Sequence, residues 1–93
     1  MGSFSSDVKA KKLTATGALG VGRARIRQIQ VNATTGSPQI VVKDGSASGT
    51  TILDLQFAAS TNTSVNIPAD GILSEADPHF TLTNITSITV FYA

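Results

Sequence analysis

Gln39-Ile40-Val41-Val42-Lys43-Asp44-Gly45-Ser46-Ala47-Ser48-Gly49-Thr50-Thr51-Ile52-Leu53-Asp54-Leu55-Gln56-Phe57 carries two strand signatures around a turn. Gln39 to Lys43 is nearly all apolar, the pattern of a central strand covered on both faces. Thr51 to Phe57 alternates, with Leu53, Leu55 and Phe57 expected inward and Asp54 and Gln56 outward. Between them Asp44-Gly45 reverses the chain, because glycine takes a positive φ without steric cost. Ser46 to Gly49 lengthen that reversal into a loop of about five or six residues, too long for a two-residue hairpin turn.

The same grammar extends in both directions. Upstream, Leu13-Thr14-Ala15-Thr16 is a short β-like segment, and Gly17, Gly20 and Gly22 mark turns or a bent edge. From Arg23 to Asn32 the apolar parity switches between Ile26 and Ile29, which predicts a β-bulge or a change of sheet there. A loop from Asn32 to Pro38 leads into the opening stretch. Downstream, Val65 and Ile67 form a short strand that stops at Pro68, Ala69-Asp70-Gly71 turns, and Ile72 and Leu73 follow. Glu75-Ala76-Asp77-Pro78 turns again before Phe80 and Leu82, and Ile88, Val90 and Tyr92 mark a last strand. About eight short strands with no helical period predict an all-β fold. The expectation is a single antiparallel β-sandwich, a jelly roll or related Greek key, preferred over an open barrel. Residues 1–12 lack an apolar period and are expected to be a flexible N-terminal arm, with the β-sandwich domain spanning residues 13–93.

Composition agrees with that reading. Twelve Thr and ten Ser accompany many Val and Ile and few helix-favouring runs. At 93 residues there is room for one domain, and a domain of that size gains from oligomerisation because its core is small. Cysteine is absent and His79 is the single histidine, so disulfides, thiol catalysis, iron–sulfur clusters and zinc fingers are excluded. No stretch approaches a membrane span of about 18–20 apolar residues, and the polar start Ser3 to Asp7 does not resemble a signal peptide. Net charge is +1, which argues against phosphate-driven nucleic-acid binding. The charge is unevenly distributed: Met1 to Val42 holds six bases against Asp7, and Lys43 onward one base against five acids. That polarity suits contacts between subunits or with a scaffold, and equally a folded surface on which the halves interleave.

Catalytic chemistry finds little to work with. His79 is the one possible imidazole base and reads as a turn residue after Asp77-Pro78. In Gly45-Ser46-Ala47-Ser48-Gly49, Ala47 stands where a nucleophile elbow needs its serine. Gly17 to Gly22 lacks dinucleotide and P-loop spacings, and Asp70, Glu75 and Asp77 match no EF-hand loop. No catalytic residue, metal ligand or cofactor is therefore assigned, and the chain is expected not to be an enzyme. Arg23, Arg25 and Arg27 are expected on one strand face, a basic ridge of about 13 Å with no interleaved aromatic. With Lys9, Lys11 and Lys12 they are the candidate interface with other subunits or a scaffold, which the resemblance below would make the capsid. Asn32, Asn62 and Asn84 open formal glycosylation sequons, read as turn and strand polarity.

Ile40-Val41-Val42-Lys43-Asp44-Gly45, continuing through Gly49-Thr50-Thr51-Ile52-Leu53, resembles small virion proteins of tailed bacteriophages. Ile67-Pro68-Ala69-Asp70-Gly71-Ile72 and Thr83 to Tyr92 fit the same pattern, so the resemblance covers most of residues 23–92. Its motifs are turns and strands, and no catalytic residue comes with it. The resemblance implies a β-sandwich structural protein of the virion, with capsid decoration or cement on the major capsid protein lattice as the expected role. Partners would then be the major capsid protein or another virion protein and copies of the chain itself, a trimer favoured, with no membrane and no nucleic acid. The expected location is the virion, at the capsid surface. The competing expectation is a receptor- or glycan-binding module of a tail or head fibre, weakened by the absence of Trp and the single Tyr92.

Overall fold

The computed structural model describes residues 8–68 and 71–93. Residues 1–7 of the expected arm, and Ala69 and Asp70 of one expected turn, lie outside the described residues. Among the described residues there are nine strands: β1 Lys9–Leu13, β2 Gly17–Ala18, β3 Ala24–Ala33, β4 Gln39–Asp44, β5 Thr50–Gln56, β6 Asn62–Asn66, β7 Ile72–Ser74, β8 Pro78–Thr83 and β9 Ile85–Tyr92. All pairings are antiparallel. One sheet has the order β1-β9-β3-β6, with β7 also on β3, and the other the order β2-β8-β4-β5.

Nine strands stand where about eight were expected because the β-like segment expected at Leu13 to Thr16 is a bend after Leu13, flanked by two strands, β1 and β2; the expected strands at Val65 and at Ile72 share one edge. β6 pairs with Gln28 to Asn32 and β7 with Ala24 to Ile26, so the two occupy successive parts of the same edge of β3. Pro68, which has no N–H to donate, follows β6 and ends the pairing. Across the gap, β3 carries the expected bulge: its register on β9 shifts between Ile26 and Gln28, leaving Arg27 as the extra residue. Gly71, at φ 86°, packs so closely on this bulge that a Cβ would collide with the Ile26 carbonyl. Counting β6 and β7 as one place, the sheets read 1-8-3-6 and 2-7-4-5, the strand order of a jelly roll.

The bulge is what lets both halves of β3 face the core. Ala24 and Ile26 are buried before it and Ile29, Val31 and Ala33 after it. Ile88 and Val90 of β9 complete the inner face of the first sheet. Ile40 and Val42 of β4, with Phe80 of β8, answer from the second sheet, and Leu19 closes the core from the β2–β3 loop. Each buried Ile, Val, Leu or Phe of this set contributes about 1.5–3 kcal/mol by leaving water. A second bulge in β5 makes Ile52 the extra residue, so that both Ile52 and Leu53 pack against the core.

The expected arm requires correction at its described end. Lys9–Leu13 is an edge strand, paired from Lys9↔Tyr92 to Leu13↔Ile88. Its four polar or small residues concealed the period because Lys11 lies on the inner-face side and reaches across the sandwich. There its Nζ donates to the Leu19 carbonyl at 2.6 Å. Inward and outward lysines on an exposed edge block pairing with other sheets, a physical reason for this basic cluster.

Candidate functional site

Two regions bring polar side chains together. The first is the end of the sandwich where the β2–β3, β4–β5 and β7–β8 connections meet. Asp77 turns its carboxylate into the β2–β3 loop and accepts from the N–H groups of Gly20, Val21 and Gly22 at 3.0–3.2 Å. Gly20 and Gly22 hold φ values of 79° and 76°, which aim these successive N–H groups into one concavity, an arrangement suited to an anion. Asp44, at the end of β4, accepts from the Ser74 hydroxyl at 2.8 Å and the Ala76 N–H at 2.9 Å. The Ala76 N–H, then the Ser74 hydroxyl, hold its carboxyl below the ordinary carboxylate value against a smaller opposing effect of desolvation. Both carboxylates are thus engaged in tying loops to strands.

That end does not assemble a cation site among the described residues. Asp77 faces N–H donors, and Glu75 turns to Arg23, with Nε–Oε1 3.3 Å. At 62% and 69% side-chain exposure this ion pair is worth at most about 1 kcal/mol. No group of three His, Cys, Asp or Glu side chains is placed to hold a metal among the described residues. His79, expected in a turn, instead sits within β8 between Ala18 and Lys43. Its Nδ1 is buried without a hydrogen-bond partner among the described residues.

The expected basic ridge is divided. Arg23 precedes β3, Arg25 lies on its outer side opposite Leu73, and Arg27 is the bulged residue with a buried Nε. The bulge that rescues the core alternation breaks the outward row of arginines. Lys9, Lys11 and Lys12 stand on β1 at the opposite edge of the same sheet, with β9 between β1 and β3.

The second region is the outer face of the first sheet. Register aligns Lys12, Thr89, Gln30 and Ser64 in one row across β1, β9, β3 and β6. The neighbouring row is Ser87, Asn32 and Asn62. These side chains line an open groove of about 420 Å³, within the roughly 300–1,000 Å³ usual for ligand sites. Ser87, only 9% exposed, forms part of its floor. Their outward alternation was legible as polarity, but the rows exist only because β9 inserts between β1 and β3. A smaller hollow of about 320 Å³ lies at the other end, between the β3–β4 and β5–β6 connections beside Pro38 and Phe57.

The chain matches no protein-family model, no curated protein and no solved structure. Among the described residues no helix is long and apolar enough to cross a membrane.

Proposed function

We propose that this chain is a non-enzymatic virion structural protein of a tailed bacteriophage, a capsid decoration or cement protein that binds the major capsid protein lattice. The observation that carries the reading is the 1-8-3-6/2-7-4-5 strand order. Viral capsid domains and lectins are prominent users of the jelly roll. The sequence resemblance to small phage virion proteins selects the first of these. A domain of 93 residues has a small core, and seating on a lattice of repeated sites stabilises it by mass action.

The basic residues give the proposed contact surface. Lys9 on β1 and Arg25 on β3 are the cations of that set best placed to meet acidic neighbours, since Lys11 donates to Leu19, Arg23 to Glu75, and Lys12 lines the outer groove. Copies of the chain are proposed to associate as a trimer, a state that size-exclusion chromatography with light scattering reads directly. Mass spectrometry of purified heads tests the role itself. The protein is expected at a copy number comparable with that of the capsid subunits or their threefold positions, and its absence from heads would overturn the reading.

A further inference from the structure

We propose that the outer groove of the first sheet binds an acidic oligosaccharide, its hydroxyl groups over the Gln30, Asn32 and Asn62 amides and a carboxylate at Lys12. The chemistry of the lining selects this class. Gln30, Asn32 and Asn62 each offer both donor and acceptor atoms, and Ser64, Ser87 and Thr89 add hydroxyls. Neighbouring strands stand about 4.8 Å apart, so the rows form a grid of alternating polar groups rather than a single clamp. A sugar chain presents a matching grid of hydroxyls.

Charge narrows the choice. Lys12 is the single charged residue of the lining, at one end of a row. One cation complements one carboxylate through a short charge-assisted bond, and is too little for a nucleic-acid backbone. One aromatic residue stands in the row next to the groove. Phe91 lies on the outer side of β9, two residues from Thr89 and paired with Gln28, whereas Tyr92 packs against the core. Phe91, half-buried in that neighbouring row, is the ring proposed to stack on a bound sugar. Ser87 at 9% exposure supplies a pre-ordered floor.

This inference is independent of the virion reading, because failure of sugar binding leaves the protein's presence in heads unchanged. The full chain is screened on an array of neutral and uronic- or sialic-acid glycans, and hits are titrated by calorimetry beside their carboxyl-reduced forms. Competable binding is expected, stronger for the acid than for the reduced sugar. Asn32→Ala is expected to weaken it roughly tenfold, the effect of one lost hydrogen bond of about 1.5 kcal/mol. Lys12→Gln is expected to erase the preference for the acid, and Phe91→Leu to weaken both forms. Thr81→Ala, on the outer side of the other sheet, is expected to leave affinity unchanged. Unfolding midpoints verify that the variants remain folded. The proposal is overturned by an array without competable hits, by equal affinity for acid and reduced forms, by affinity indifferent to Asn32→Ala, or by groove variants that change the oligomeric mass.

Discussion

Replacing Asp77 with alanine removes an acceptor that three backbone N–H groups share. The contacts measure 3.0–3.2 Å, and their donors belong to the loop that delivers Leu19 into the core. A hydrogen bond to a charged group is worth about 1.5–3 kcal/mol in mutational comparisons. Gly20 and Gly22 are exposed, so water takes over most of their loss, while Val21 is half-buried and bears the larger share. Counting the Val21 N–H near that figure and the two glycines at a few tenths each gives about 2–3 kcal/mol. In a domain of this size each kcal/mol moves the melting midpoint by about 4–8 °C, so a fall of roughly 10–20 °C is expected. Far-UV circular dichroism followed through thermal and urea unfolding measures both quantities. Asp77→Asn, which retains one acceptor oxygen but turns an NH2 toward a donor, is expected to fall between wild type and alanine. A melting shift below about 3 °C for Asp77→Ala would refute the view that this carboxylate organises the loop.

The bulge, the neighbouring carboxylate and the edge strand give further tests. Gly71→Ala places a methyl against the Ile26 carbonyl at a positive φ, and is expected to cost at least about 2 kcal/mol in urea unfolding; a neutral result would contradict the packing of the interrupted edge on β3. Asp44 has a carboxyl lowered from its ordinary value of 3.8, so its contribution is present above that value and is lost as pH falls through the lowered one. The stability gap between wild type and Asp44→Asn is therefore expected to be constant near neutrality and to close in acid, and a gap independent of pH would remove the Ala76 and Ser74 bonds as its cause. Lys11→Glu puts an acid opposite the Leu19 carbonyl and is expected to lower the urea midpoint, whereas a flexible segment at residues 9–12 would leave that midpoint unchanged.

Much of the architecture was written in local pattern. Ile26 and Ile29, three positions apart yet both destined for the core, announced the bulge because an alternating strand needs one extra residue to bury both. The β4–β5 pair was legible for the complementary reason that nothing interrupts its turn: the loop between Asp44 and Thr50 has the expected length. β1 was not legible, since an edge strand with lysines on both faces has no apolar period and its partner, β9, lies at the opposite end of the sequence. The same distance hid the role of Asp77, whose donors lie more than fifty residues away. Turn chemistry explains why Asp stands beside Pro78, but not which loop it holds. The groove was not legible: the alternation around Ile29 and Val31 leaves Gln30 on the outer side, but its alignment with Thr89 and Ser64, and that of Asn32 with Ser87 and Asn62, is a product of strand order.

The claim on which the functional account turns is the proposed place of this chain on a virion. Cryo-electron microscopy of intact phage particles carrying the protein reads that place directly, because a two-sheet density with the 1-8-3-6/2-7-4-5 strand order is recognisable once strands are resolved. The account predicts that density on the outer capsid surface, repeated over the lattice, with the Lys9 and Arg25 end of the first sheet toward the major capsid protein. Density confined to the tail, or particles whose surface carries no copy of this fold, would contradict it.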